Sequence, residues 1–524
     1  MKLKQICLNI TPIVAFAFGI WYFCLRILGY NLEYIPGDLG DSRFINYLLE
    51  HCHQWMTGKA SSFWDAGFMY PFKNAVALSD CLIGTAPLYS IWRLFNFTPE
   101  TSYQLWWICI CSLNYWVSFI VFKKWFNRID IAVVLAWIFA FTFYNIGQLN
   151  YMQMIVRFMV PVAIYAVYKL IQFPSNKYFS IYSAALIFQL YSAMYTGIYL
   201  LYFSGLILFV YYILTKKWNE LSYYISKEHK IKFFIICIIS FIAIVNLFYP
   251  YIKIAKVVGN LHFNDIEANI PLWNSYLFPH QSSYTWHFMF EATMPRDYSW
   301  WLHYLYTGII PLMSIIIPPF YLIYNKKKKI KTDVIIKTFI LTSIIIIAFH
   351  LRTKHFITLY YFIFYLPGIR SLRVLIRFMN VELFLLLVLW GYFLVKVKSK
   401  YVYLLLLLSF CDNLFDATNM PKKEKKELIA RKCQLINEIK KCDYKSKKAL
   451  AYINSAQESY ITNIDMMLAS QQLGKSSING YSSYAPAEIC DFLSKNKNEG
   501  LNKWLDSEYL KCNEVFVLTI DKGK

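Results

Sequence analysis

Long apolar runs alternate with short polar segments along most of the chain. The first run covers about residues 6–30 and follows Lys2 and Lys4. Further runs fall at about 103–122, 131–147, 158–171, 179–194, 197–214, 233–250, 304–324, 334–349, 378–395 and 401–415. Runs of this kind predict about eleven membrane-spanning helices. The run at 356–366 is too short to cross, and Pro367-Gly368 ends it. Lysine and arginine gather in four alternate connections: Lys123, Lys124 and Arg128; the segment 216–232; Lys326 to Lys329; and Lys396, Lys398 and Lys400. By the positive-inside rule these connections face the cytoplasm. The first run is then an uncleaved signal anchor, with no Ala-x-Ala site after it. Loop 31–102, loop 251–303 and the tail 416–524 are expected on the outer side.

Loop 31–102 has its own pattern. Pro36-Gly37 and Gly40 break any helix leaving the membrane and put Asp38 and Asp41 on a turn. Asp41 or Ser42 is expected to cap the helix that follows. In that helix Phe44, Leu48, Cys52 and Trp55 form an apolar face, and Arg43, Tyr47, Glu50 and Gln54 a polar one. An amphipathic helix of this length is expected to lie along the membrane surface. The run at 83–95 is interrupted by Pro87 and is expected to re-enter only partly. Beyond 416 the apolar runs stop, and a soluble domain with a small core is expected. Asn479-Gly480-Tyr481 reads as a tight turn there. Cys433, Cys442, Cys490 and Cys512 allow three disulfide pairings in an oxidising compartment. The chain therefore divides into a transmembrane domain, 1–415, and a soluble extracytoplasmic domain, 416–524.

Composition agrees with this division. The chain of 524 residues is 58% hydrophobic and only 16% charged, with a mean hydropathy of +0.38. These values exclude an ordinary soluble protein. The net charge of +22 comes largely from lysines in short connections, so it is not a nucleic-acid signal. Against that basic background, residues 33–100 hold seven acidic side chains and four basic ones. An acidic island of this kind calls for a reason, and chemistry is one. There is no P-loop, GxGxxG or HExxH motif, so the energy for any reaction has to come with the substrate. No cysteine pair has metal-site spacing, and His51 and His53, two residues apart on a helix, point to different faces.

Asp38 and Asp41 are the candidate catalytic residues. A carboxylate at the membrane boundary can take the proton of an acceptor hydroxyl, although capping and turn roles account for the same residues. Arg370, Arg373 and Arg377 recur at i, i+3 and i+7, on one face of a helix start. A guanidinium fork suits a phosphate. The alternative, a topology anchor, belongs on the inside, whereas the span count puts this triplet outside. Arg43, Asp80 and Arg93 complete the candidate substrate-binding set. No cofactor follows from any motif. A divalent cation held by Asp38, Asp41 and Asp80 is one candidate, and oxygen-only ligands suit magnesium, manganese or calcium. Trp273, Tyr276, Trp286, Trp300 and Trp301 in loop 251–303 offer either sugar-stacking faces or an interfacial belt.

The motif Gly37-Asp38-Leu39-Gly40-Asp41-Ser42-Arg43 stands with Leu49-Glu50-His51, Trp64, Pro71, Ser79-Asp80, Pro87-Leu88-Tyr89 and Arg93. This set resembles the first outer loop of GT-C-type membrane glycosyltransferases. More narrowly, it resembles the serotype-converting glucosyltransferases that modify bacterial O-antigen in lipopolysaccharide. Leu366-Pro367-Gly368-Ile369-Arg370 with Arg373 and Arg377 resembles a late outer segment of related proteins. The resemblance implies an all-α polytopic fold in the bacterial inner membrane with its active site facing the periplasm. It implies transfer of a sugar, glucose in the narrower case, from a polyprenyl-phosphate donor to a lipid-linked glycan. A first-loop aspartate would be the catalytic acidic residue, here Asp38 or Asp41. The partners implied are the donor, the acceptor, membrane lipid, and a donor synthase and flippase. Rival readings are a lipid-linked sugar flippase or transporter, an O-antigen ligase or polymerase, and a non-catalytic assembly protein.

Overall fold

The computed structural model describes residues 2–220, 230–297, 299–328, 332–508, 510 and 512–520. Each of the eleven apolar runs holds a helix: Lys2–Gly19 continuing to Leu28, Pro99–Phe126, Ile129–Phe141, Met159–Gln172, Asn176–Ser192, Met194–Thr215, Lys230–Val258, Ile309–Lys327, Val334–Phe349, Met379–Leu394 and Ser399–Asp412. Among the described residues, six helices are long and apolar enough to cross a membrane. A seventh arises if Ile129–Phe141 and the 3-10 segment Phe143–Ile155, bent by 51°, act as one. Several of the remaining helices are fourteen to seventeen residues long, shorter than a full crossing requires. The helix Ala86–Leu94 takes Pro87 into its first turn, where its missing N–H costs nothing. It is a short packing helix, with Pro87 beginning it rather than interrupting it.

The fold is not wholly helical. Residues beyond 416 form a parallel three-stranded sheet, with strand Ala449–Asn454 between Ser476–Ser477 and Val515–Ile520. Four helices accompany it: Lys425–Lys440, Ser459–Gln472, Ala487–Lys495 and Asn498–Ser507. The tail also does not stand apart. Strand Tyr34–Pro36 of the first loop pairs antiparallel with Lys422–Glu424, in the register Tyr34 with Glu424. Gly37 N–H donates to Pro421 C=O (2.7 Å) and Lys425 N–H to Glu33 C=O (2.8 Å). Ile489, Phe492 and Trp504 of the tail are buried in the same hydrophobic core as the transmembrane helices.

The expected surface helix is therefore covered. It runs Asp41–Met56, and every residue from Ser42 to His53 is buried. Its polar face is neutralised rather than wetted. Arg43 donates to Asp465 of the tail at 2.6 Å, and both side chains are only 4% exposed. Asp465 is also held by Arg431 (2.7 Å). Glu50 receives a two-pronged bond from Arg93 (2.7 and 3.2 Å) and the Tyr89 hydroxyl (2.7 Å). Lys432 of the tail meets Glu100 at 2.6 Å. The alternation of apolar and polar positions predicted the helix, but the charges on its polar face find partners on another part of the chain.

Asn479-Gly480 is not a tight turn. It is a buried connection whose Asn479 side chain bonds to strand residue Tyr452 and to Asn463. Glycine is needed there because a Cβ would sit 2.3 Å from Met69 Cγ. Cys433, Cys442 and Cys490 are free thiols, while the side chain of Cys512 lies outside the described residues. The three expected outer segments, loop 31–102, loop 251–303 and the tail, meet on one face of the molecule.

Removing Asp465 leaves Arg43 buried with no counter-charge. Asp465→Ala is expected to destabilise the fold by about 3–5 kcal/mol, the usual cost of breaking a buried pair from one side. Arg43→Met should cost less, because Asp465 keeps Arg431. Thermal unfolding of the purified protein, read with limited proteolysis of the tail, measures both.

Candidate functional site

A cavity of about 520 Å³ opens where the three segments meet. Asp41 and Asp80 line it from the first loop, and Arg373 and Arg377 from the late segment. Tyr481 and Tyr484 reach it from the tail, and Trp301 and Asp265 from loop 251–303. Four of the eight candidate residues thus converge.

The helix start explains how Asp41 is free to do so. Gly40, not Asp41 or Ser42, occupies the N-cap position. Gly37 has φ +93° and brings the chain so close to Ser42 that a Cβ would lie 2.6 Å from its Cβ. The Ser42 hydroxyl is spent on Pro36 C=O. Asp38 takes the free amides: its carboxylate accepts from Gly40 N–H (2.9 Å) and from the N–H groups of Asp41 and Ser42. Asp38 therefore holds the turn. The amides at the helix start thus lie on Asp38 and not on Asp41.

Asp41 has different neighbours. Burial, and then the nearby Asp38 charge, push its carboxyl up to about 6. Arg377, a hydrogen bond from the Tyr481 hydroxyl, and Arg373 oppose the rise. The group remains mostly a carboxylate at neutral pH, yet is more basic than an ordinary aspartate. Asp80 is fully enclosed, and burial raises it as well. Met194 N–H donates to it at 2.9 Å, and Gln153 and the Arg377 charge hold it from other directions.

The arginine triplet does not form one helix face. Two 3-10 turns, Ile369–Ser371 and Leu375–Phe378, flank an extended stretch. Arg370 turns away and donates to Leu261 C=O (3.0 Å). Arg377 is 6% exposed, stacked by cation–π contact on Tyr195 (4.4 Å) and Tyr151 (5.1 Å). Its Nε has no hydrogen-bond partner among the described residues. The Arg373 side chain is exposed, and its backbone is fixed by the Tyr195 hydroxyl (3.0 Å) and by Asn269 (3.2 Å). One planar cation is thus buried between two rings with an unused Nε–H, and a second is exposed beside it.

Arg43 and Arg93 do not reach the cavity, since both are committed to the ion pairs described above. Among the described residues, no three His, Cys, Asp or Glu side chains gather to hold a metal ion, so Asp38, Asp41 and Asp80 do not assemble the expected cation set. His51 is bonded to Phe63 C=O and His53 to the Ser90 hydroxyl. Of the aromatic candidates, only Trp301 lines the cavity. Trp286 donates to Asp412 (2.6 Å), Trp300 packs against Phe290 and Tyr304, Tyr276 is buried, and Trp273 is exposed. Sequence reasoning missed Tyr151, Gln153, Tyr195, Asp265, Tyr481 and Tyr484. Tyr481 adjoins the Asn479-Gly480 signal, which pointed to the right stretch for a different reason.

No family model and no curated protein matches the chain. Solved structures do. The fold resembles that of an archaeal oligosaccharyltransferase. AglB from Archaeoglobus fulgidus, in complex with an inhibitory peptide and a dolichol-phosphate, aligns over 99% of this chain and 70% of its own. The TM-score is 0.54 at 10% identity. The apo form of the oligosaccharyltransferase from the same organism aligns over 97% and 69%, with a TM-score of 0.52 at 10% identity. The likeness is one of fold, and it extends through the tail.

Tyr481→Phe removes a hydrogen bond to the charged form of Asp41, and Arg377→Gln removes a nearby positive charge. Both changes should move the Asp41 pKa upward from about 6. Infrared difference titration with isotope-labelled aspartate reads the shift, with Asp41→Asn identifying the band.

Proposed function

We propose that this protein is a membrane glycosyltransferase that moves a sugar from a polyprenyl-phosphate donor to a hydroxyl of a cell-surface glycan. One observation carries the reading: a carboxylate of raised basicity, Asp41, shares a cavity with two arginines that have capacity to bind a phosphate. The fold likeness supports it, because the AglB structure contains a dolichol-phosphate, itself a polyprenyl-type phosphate. The narrower terms rest on sequence resemblance: glucose as the sugar and O-antigen as the acceptor. The placement in a bacterial inner membrane with the site facing the periplasm rests on that resemblance and on the lysine pattern.

In this reading the acceptor hydroxyl attacks C1 of the donor sugar. Its proton passes to the Asp41 carboxylate as the new C1–O bond forms. The bond from C1 to the phosphate oxygen breaks, and its electron pair leaves on the polyprenyl phosphate. Arg377 and Arg373 stabilise that charge. Arg377 is suited to this because it is buried and already oriented by Tyr195 and Tyr151, so little reorganisation is needed. Asp80 positions the wall of the cavity through Met194 and Gln153. The reaction consumes a bond already activated in the donor, consistent with a sequence that has no nucleotide motif.

Asp41→Asn is expected to lower transfer by about a hundredfold or more, the usual scale for losing a general base, with the protein folded and inserted. Asp38→Asn should cost less, acting through the loop. In a purified transfer assay with a polyprenyl-phosphate sugar, near wild-type turnover by Asp41→Asn would rule the assignment out. Arg377→Lys and Arg373→Lys keep the charge but lose the planar fork, so the donor KM should rise.

The base must be deprotonated, so kcat/KM should fall about tenfold per pH unit below about 6. A bound phosphate draws on the same arginines that hold Asp41 down. The acid limb of kcat, which reports the complex, should therefore lie at higher pH than that of kcat/KM. Coincident limbs would show that the arginines do not meet the donor phosphate.

A further inference from the structure

A second cavity of about 400 Å³ adjoins the first and shares Tyr151 and Trp301 with it. It lies between the Phe143–Ile155 segment, the 280–304 part of the outer loop and the connection 418–421. Its lining differs in kind. The first cavity carries Asp41, Asp80, Asp265, Arg373 and Arg377, whereas no Asp, Glu, Lys or Arg lines the second among the described residues. Three aromatic rings, Tyr151, Trp301 and Tyr304, stand there with the amides Asn150, Gln281 and Asn419. The Asn150 Oδ1 atom is buried and has no hydrogen-bond partner among the described residues. His280, also in the lining, takes Ser282 N–H on its Nδ1 (3.2 Å). That bond fixes the neutral tautomer and leaves Nε2–H as a donor. Burial keeps the ring neutral well below pH 7.

We propose that this second cavity is the acceptor subsite, binding a neutral sugar unit and delivering its hydroxyl to Asp41 past Tyr151 and Trp301. Aromatic faces cover the apolar faces of a pyranose, and amide groups satisfy its hydroxyls as both donors and acceptors. A charged ligand finds no counter-charge in this cavity, and burying it there would be costly. The two cavities divide the substrates by charge: the phosphate donor goes to the arginines, and the uncharged acceptor to the amides and rings. The shared wall of Tyr151 and Trp301 is then where the two sugars meet. This inference rests on the transferase reading and adds the acceptor class to it.

The test is binding to the full-length protein in nanodiscs, followed by saturation-transfer-difference NMR. Maltotriose is the neutral probe and trigalacturonate the anionic one. Maltotriose should titrate, and trigalacturonate should not saturate over the same range. Gln281→Ala, at an exposed position, and Asn150→Ala should each raise the maltotriose Kd about fivefold, the scale of one lost hydrogen bond. In transfer assays the same variants should raise the acceptor KM and leave the donor KM unchanged. Asp41→Asn should leave maltotriose binding intact. Equal response to the two probes, or a maltotriose Kd that neither variant moves, overturns the subsite even if Asp41→Asn is inactive. Transfer that survives Asp41→Asn while maltotriose binding stays intact overturns the base assignment and spares the subsite.

Discussion

The site depends on the docking of the tail against the first loop. Strand Tyr34–Pro36 is paired only because Lys422–Glu424 comes back to it. The helix that begins at Asp41 can be buried only because Asp465 of the tail meets Arg43. A buried arginine without that partner would be strongly unfavourable, and the helix would have to turn its polar face to water. Tyr481 reaches Asp41 from the same docked tail. The pairing also constrains topology. Residues 36 and 422 lie on one side of any membrane the helices cross, so the number of crossings between them is even.

Within the cavity, electrostatics assigns the two first-loop aspartates different work. Their sequence settings look alike, each beside a glycine and three residues apart. The backbone separates them, because Asp38 receives the amide groups at the helix start while Asp41 receives none of them. Burial raises both carboxyls, and at Asp38 the amide bonds offset part of that rise and hold the group in place. Burial beside a like charge, offset by two arginines, favours a carboxyl that can accept and release a proton near neutrality. Asp38 contributes twice, by holding the turn and by raising its neighbour. The arginines act on the same group in the opposite sense, since each lowers Asp41.

Hydropathy made the helical part of the fold legible. Every apolar run holds a helix, and two of the basic connections meet: Arg128 donates to the C=O groups of Leu394, Val395 and Val397 at the end of a distant helix. The candidate site was half legible. Asp41, Asp80, Arg373 and Arg377 stood out because charge is expensive beside a membrane and their number was small. Arg43, Arg93 and Arg370 stood out for the same reason and proved to be committed elsewhere, because composition and spacing do not reveal a partner 422 residues away, as Asp465 is from Arg43. The tyrosines were invisible. In a chain that is 19% aromatic, one more tyrosine carries no signal until its neighbours are known. The sheet of the tail escaped for a related reason: its strands are short, and Ala449–Asn454 is buried throughout, so it lacks the alternation that marks a half-exposed strand.

At 10% identity the shared architecture with AglB reflects constraints on folding more than on chemistry. A bundle of apolar helices can vary most of its side chains while keeping its packing, since any combination of the right volume and hydrophobicity serves. The junction of loop and tail tolerates far less. It must neutralise Arg43, Glu50 and Lys432 away from water, admit Gly37 and Gly480 where a Cβ would collide, and still leave Asp41 uncapped. None of those demands is met by hydropathy. Beside that junction Arg373 and Arg377 share the cavity with Asp41 and Asp80, so their charge is set against carboxylates across an open space rather than in a closed pair like that of Arg43 with Asp465.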